Sequence, residues 1–138
     1  MSSFDHERLD VYQAALDFVA VADEMIERFP RGRAHLADQL ERAATSVPLN
    51  IAEGAGEFSR HEKARFYRIA RRSATECAAI LDVCRRRKIA DEQILAAGRS
   101  LLLRLVSMLT RMARALTDPS GTGTGTGTGT TEATAEPQ

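Results

Sequence analysis

Much of the equipment that marks an enzyme, a membrane protein or a secreted domain is missing from this sequence. No run of about eighteen apolar residues occurs, so a membrane-spanning helix and a membrane partner are not expected. The first residues lack a basic stretch followed by an apolar one, so no secretory leader is read and a cytoplasmic location is expected. No period-two apolar run bounded by turn residues appears, which argues against strands. The two cysteines, Cys77 and Cys84, would stand about 10 Å apart along a helix axis, too far for a disulfide. Both fall on an apolar helical face and read as small buried hydrophobes.

Net charge is absent as well, with 19 basic and 19 acidic side chains. The distribution is uneven. Residues 1–58 carry 5 basic and 11 acidic side chains, a net −6, whereas residues 60–88 carry 10 basic and 3 acidic, a net +7. Such asymmetry fits nucleic-acid contact or complementary packing of helices or subunits, and does not choose between them.

Catalytic and metal motifs are incomplete. His61-Glu62-Lys63-Ala64-Arg65 opens like a zinc-protease helix, but an arginine stands where the second histidine must be. A di-iron bundle needs Glu-x-x-His on its core faces, and none of His6, His35 or His61 has a glutamate three residues before it. Gly54-Ala55-Gly56 lacks the Gly-Lys-Ser/Thr of a phosphate loop and follows a helix instead of a strand. No cofactor or metal is expected, and a non-enzymatic role is favoured.

What the sequence does have is helical periodicity, organised around residues 42–56. Leu36, Leu40, Ala43, Val47 and Ile51 recur every three or four residues, an apolar stripe that runs into and through this stretch. Pro48 lies inside the stripe, where proline costs a helix about 3 kcal/mol and frees a carbonyl, here that of Ala44. The helix either stops at Val47 or kinks and continues to Gly54. Ile51, in phase four residues after Val47, favours the kink.

The remaining pattern gives three more helices. Asp5 is read as the N-cap of a first helix to about Phe29, ended by Pro30 and Gly32. Its apolar stripe is wide enough to touch more than one neighbour, which points to a second interface. The second helix spans about Arg33 to Ala55, with Gly54 and Gly56 as its stop. Ser59-Arg60-His61-Glu62 forms a capping box for a third helix to about Arg87. Phe66, Ile69, Ala70, Ser73, Cys77, Ile80 and Cys84 are read as its core face. Asp91 caps a fourth helix to about Leu116, with Ile94, Leu101, Leu105, Met108 and Met112 as one seam and Leu102, Val106 and Leu109 beside it. Gly98 inside it costs up to about 1 kcal/mol, which points to close packing there. The fold class is therefore all-α, an antiparallel up-down-up-down four-helix bundle over residues 1–117 with a proline-kinked second helix. Residues 118–138, rich in Gly and Thr, have nothing to bury and read as a disordered tail.

Three segments carry a family resemblance. Leu9-Asp10-Val11-Tyr12-Gln13, the run Gln39 to Gly54 with Ser46-Val47-Pro48-Leu49-Asn50-Ile51-Ala52-Glu53-Gly54 at its end, and Phe66-Tyr67-Arg68-Ile69-Ala70-Arg71-Arg72-Ser73 followed by Glu76 resemble the bacterial four-helix-bundle proteins. The founding members of that family are encoded in intervening sequences of 23S ribosomal RNA genes. The resemblance covers roughly residues 4–116. It implies a four-helix bundle, assembly into a homopentameric ring and no established catalytic activity. It also implies kinship with the accessory protein of diversity-generating retroelements, a basic pentamer that engages reverse transcriptase and nucleic acid. The Gly-Thr tail has no counterpart in the family, and the acidic positions of the first helix soften any overall positive field.

Two groups of residues are candidates for function. Within the family motif (Ser46, Pro48, Asn50, Glu53, Gly54), Asn50 and Glu53 sit one turn apart just past the proline. Either Asn50 satisfies backbone groups at the kink while Glu53 pairs with an arginine, or the two form a small polar pocket. Thr45 and Ser46 can also take up the strain through their hydroxyls. The third helix supplies the second group: Arg65, Arg68 and Arg72 on one flank, Arg60, Lys63 and Arg71 on the other with Tyr67 between the last two, and Arg85, Arg86, Arg87 and Lys88 at its end. Some of these cations gain about 0.3–1 kcal/mol each from the helix dipole. The rest either pair with the acidic first helix or contact phosphates, for which arginines with an interleaved aromatic are suited.

The function expected is a non-enzymatic, self-associating bundle that presents a basic surface to RNA or DNA. The alternative is an assembly or adaptor module whose charged faces pair only with a protein partner. An enzyme built on Asn50 and Glu53 is the remaining possibility.

Overall fold

The computed structural model describes residues 2–117. The tail from 118 to 138, read above as disordered, lies outside the described residues. A 3-10 turn at Asp5–Arg8 precedes four helices: α1 (Asp10–Glu27), α2 (Ala34–Ala55), α3 (Arg60–Arg87) and α4 (Glu92–Thr117). No strand occurs among the described residues. The connections 28–33, 56–59 and 88–91 are short, which makes consecutive helices antiparallel neighbours. α1 and α3 each pack on both α2 and α4, while the backbones of α1 and α3 do not approach one another. The all-α bundle read from the sequence is observed, with α1 and α3 on diagonal corners.

The first helix starts later than the sequence suggests. Asp5 does not cap it. The Glu7 carboxylate accepts from the Phe4 backbone N–H at 3.0 Å, residues 5–8 coil tightly, and Leu9 is extended (φ −89°, ψ 127°). The Leu9 carbonyl then accepts from Tyr12 and Gln13 and opens α1. Ser59 and Asp91 cap as expected, accepting from Glu62 N at 3.2 Å and Ile94 N at 3.0 Å. Glu62 does not complete the capping box and turns instead to Arg65, 3.1 Å away. α3 ends on Lys88 in the left-handed region (φ 59°, ψ 42°). Ile89 N donates to Cys84 O at 3.1 Å, which closes the helix end and brings Ile89 into the core.

α2 runs unbroken through Pro48. Of the two readings left open by the sequence, continuation past Val47 is the one observed. Side-chain donors gather around the proline: Thr45 Oγ1 donates to Glu41 O at 2.8 Å, and Asn50 Nδ2 donates to Ser46 O at 2.9 Å. Gly54 is not the stop. It lies inside the helix, where an added Cβ would sit 2.7 Å from Tyr67 Cε1; Gly56 is the C-terminal residue of the turn.

The core is apolar throughout. Phe18, Met25, Leu40, Val47, Ile51, Leu102, Leu105 and Leu109 are fully buried, each contributing about 1.5–3 kcal/mol by area removed from water. α4 turns Leu102, Leu105 and Leu109 inward and leaves Leu101, Val106, Met108 and Met112 half-buried, so its buried seam draws on both rows read from the sequence, Ile94 and Leu105 from one and Leu102 and Leu109 from the other. Gly98 packs closely, as expected, with Leu81 Cδ2 only 3.0 Å from where its Cβ would be. α4 is long and apolar enough to cross a membrane by length and composition alone. Its outer side, however, carries Arg99, Arg104, Arg111 and Arg114, all exposed; an arginine costs about 2.5–3.5 kcal/mol at a bilayer centre.

Candidate nucleic-acid interface

The rotation of α3 about its own axis decides which cations face outward. Ala64, Tyr67, Ala70, Ala74, Cys77, Ile80, Leu81 and Cys84 are its buried residues. Phe66, Ile69 and Ser73, read from the sequence as core, lie half-buried along the edge toward α2. The sequence hides this because Ala64 and Ala74 count little in an apolar average yet are buried on that face. The correction removes one proposed contact. Tyr67 is only 5% exposed, seated against Gly54, so it is no stacking platform between Lys63 and Arg71. Burial raises its phenol pKa.

Four of the ten proposed cations are engaged within the bundle. Arg60 Nη2 donates to Ala115 O at 2.9 Å, at the end of α4. Lys63 Nζ donates to Gly54 O at 3.2 Å and Ala55 O at 2.9 Å, at the end of α2. Carbonyls at a helix C-terminus lack backbone donors and carry partial negative charge, so both contacts are favourable. Arg71 donates to Thr110 Oγ1 at 3.3 Å, and Arg85 makes a forked pair with Glu92 at 2.7 and 3.3 Å. A fifth, Arg65, pairs with Glu62 and lies 4.6 Å over the Phe66 ring, but keeps an exposed outer side.

Arg68, Arg72, Arg86, Arg87 and Lys88 make no ion pair among the described residues. The acidic helix cannot satisfy them. α1 carries Asp10, Asp17, Asp23, Glu24 and Glu27 and no basic residue, but it stands on the opposite corner. Pairing within the chain between the first and third helices is therefore not what the fold uses.

The structure adds four residues that sequence reasoning missed. The Arg71–Thr110 and Arg85–Glu92 contacts lay α4 alongside α3; Arg99 lies beside Asp82 and Arg85 of α3, and Arg104, Arg111 and Arg114 are exposed on α4. None makes an ion pair among the described residues; Arg111 donates to Ser107 Oγ at 2.7 Å. After Glu92, α4 contains no acid, and that run of uncompensated arginines was the available signal. The basic surface thus spans two helices.

The family-motif residues do not converge on a pocket. Ser46 Oγ lies 2.8 Å from Ser73 Oγ, and Asn50 Nδ2 donates to Ser46 Oγ at 3.0 Å. These three make a polar stitch between α2 and α3. Asn50 thereby acts on the backbone and hydroxyl beside the proline, as expected, but the arginine pair expected for Glu53 is not formed among the described residues. Pro48 is buried. Glu53 is exposed and has no ion pair among the described residues. No group of His, Cys, Asp or Glu suited to a metal occurs among the described residues. Burial pushes the Cys77 thiol up to about 12 and raises that of Cys84, so both stay protonated and unreactive at neutral pH.

No curated protein matches the chain. The family model described as 23S rRNA-intervening sequence protein matches residues 7–111, a span that takes in the proline-bearing α2, the capped start of α3 and most of α4. With the four-helix architecture in place, the chain belongs to the 23S rRNA-intervening sequence protein family.

Proposed function

We propose that this protein is a non-enzymatic, self-associating bundle, assembled as a homopentameric ring, that presents its α3–α4 surface to the sugar-phosphate backbone of RNA or DNA. One observation carries the reading: Arg68 on α3 and Arg99, Arg104, Arg111 and Arg114 on the adjoining α4 make no ion pair among the described residues, while the acids of α1 lie diagonally across from α3. Arginine on such a surface neutralises phosphates and releases their counterions, a sequence-independent source of affinity. Repetition of the surface around a ring multiplies the field. The family description refers to 23S rRNA, which makes that RNA the natural first probe. A cytoplasmic site of action goes with this reading, since both cysteines are free.

Affinity for a mixed-sequence RNA tests it. The double variant Arg68→Glu, Arg111→Glu should bind about tenfold or more weakly than the wild type at moderate salt, with the helical circular-dichroism signal unchanged. Equal affinity would refute the interface.

A second reading rests on its own observation. Arg60, Lys63, Arg71 and Arg85 serve the bundle, which shows that this chain uses basic residues structurally. An assembly or adaptor module, with charged faces that meet only protein, extends that use. Self-association without RNA affinity is its signature.

A further inference from the structure

The two ends of the bundle differ in charge. Consecutive helices are antiparallel, so the connections 28–33 and 88–91 share one end, where Arg28 Nη1 meets Asp91 Oδ2 at 3.6 Å. Residues 27–35 and 85–92 at this end carry seven basic and three acidic side chains, whereas residues 2–9, 55–63 and 113–117 at the other carry four of each. Most acids near the basic end are engaged: Glu24 and Asp91 with Arg28, Glu92 with Arg85, and Asp38 with Arg42. Glu27 makes no ion pair among the described residues, nor do Asp23 and Asp82 about a turn further in. Against them stand Arg31, Arg33, Arg86, Arg87 and Lys88, also without an ion pair among the described residues. Arg33 is half-buried and the other four are exposed. We propose that these five side chains form a phosphate-binding cap, which carries RNA or DNA from the α3–α4 surface over this end of the bundle.

The cap rests on the nucleic-acid reading above and adds Arg31 and Arg33 to its site. The needs of the fold do not account for these two. Cations in the last turn of α3 are favoured by the helix dipole, but Arg31 and Arg33 stand at the N-terminal end of α2, where the dipole disfavours positive charge, and the first turn of α2 holds no acid to offset them. Four of the five cations are arginines, whose planar forks match pairs of phosphate oxygens. Arg85 and Arg99 line one small cleft between α3 and α4, with Asp82 its one acid, and this cleft joins the cap to the arginines of α4. A protein partner would need an apolar anchor near the centre of its contact. None of the large apolar side chains exposed among the described residues falls in the two basic segments, and a polyanion needs none.

Binding of mixed-sequence RNA by the full chain across a salt series tests the cap. Arg31→Glu with Arg86→Glu should bind about tenfold or more weakly than the wild type at moderate salt. Arg31→Gln with Arg33→Gln introduces no new repulsion. It should lower the slope of log affinity against log salt by about 1–2, and its thermal midpoint should not fall, because the two cations do nothing for α2. Combining Arg31→Glu and Arg86→Glu with Arg68→Glu and Arg111→Glu should multiply the separate losses, as independent contacts do.

Wild-type RNA affinity in the cap variants, beside a loss in Arg68→Glu, Arg111→Glu, would overturn the cap and leave the α3–α4 interface standing. The reverse pattern would uphold the cap and refute that interface. A wild-type protein without RNA affinity would overturn both. A lower thermal midpoint in Arg31→Gln, Arg33→Gln with an unchanged salt slope would assign these arginines to the fold and refute their contact with phosphate. Polyglutamate that binds as tightly as RNA, and is lost in the same variants, would give the cap to an acidic protein and refute its assignment to nucleic acid.

Discussion

α1 and α3 stand at opposite corners of one bundle, and they are held there by different means. α1 is attached by apolar burial: Val11, Ala14, Ala15, Phe18, Ala22 and Met25 face the core, and its acids stay outside. α3 has a core face of its own but adds polar ties on both flanks, Ser73 and Lys63 to α2, and Arg60, Arg71 and Arg85 to α4. The acidic helix therefore commits one acid, Glu24, to a pair with Arg28 at 3.3 Å, whereas the basic helix spends about half of its cations on the fold. Charge counted along the sequence overstates what α3 can offer a ligand and understates what α4 can.

The sharpest break in this comparison is at the apolar anchor of α1. Phe18→Ala should cost about 3–5 kcal/mol, read as a lower urea midpoint; a loss under 1 kcal/mol would mean that α1 is held by something other than its core face. Gly54→Ala comes next. A methyl there meets the Tyr67 ring, with Cδ1 at 2.9 Å and Phe66 Cβ at 3.2 Å, and such overpacking costs about 1–3 kcal/mol. Gly98→Ala, where the nearest atom is the flexible end of Leu81, should be much milder because it also gains up to about 1 kcal/mol of helix propensity.

The buried thiol of α3 gives a pH signature. Cys77 has its pKa raised from 9.0 to about 12 by burial, with the Glu76 charge second. The native state therefore holds this proton above pH 9 while the unfolded chain releases it. Stability is unaffected below that point and falls as pH rises toward 12, by up to about 1.4 kcal/mol per pH unit. Cys77→Ala should flatten the alkaline limb of the stability curve. Smallest of the set is Lys63→Met, which removes the ammonium from the α2 carbonyls and should cost about 1 kcal/mol; no change would mean that the cations of α3 are not needed for the fold.

The bundle was legible because its signals are local. Ser59 and Asp91 announce their helices by capping, and the Leu36–Ile51 stripe carries α2 through Pro48 without a break. The start of α1 was not legible, because the Glu7 carboxylate takes the Phe4 N–H and builds a separate turn ahead of the helix. The orientation of α3 is hidden for a related reason: Ala64 and Ala74 weigh little as hydrophobes, and nothing local shows that Gly54 makes room for Tyr67. Gly54 thus marks a close approach and Gly56 alone the stop. The candidate interface was half visible. Arginines in α3 could be counted, but which of them α4 and α2 would engage depends on contacts 8 to 55 residues apart in sequence, beyond the reach of any periodicity.

The salt dependence of RNA binding tests the central claim most directly. Phosphate contact by the α3–α4 arginines predicts a steep linear fall of log affinity with log salt, and each contacting arginine replaced should reduce the slope by about 1. Arg68→Glu, Arg111→Glu and Arg114→Glu together should therefore bind weakly and with a visibly shallower line. A wild-type affinity that ignores salt, or a triple variant whose line overlays the wild type, would contradict the account.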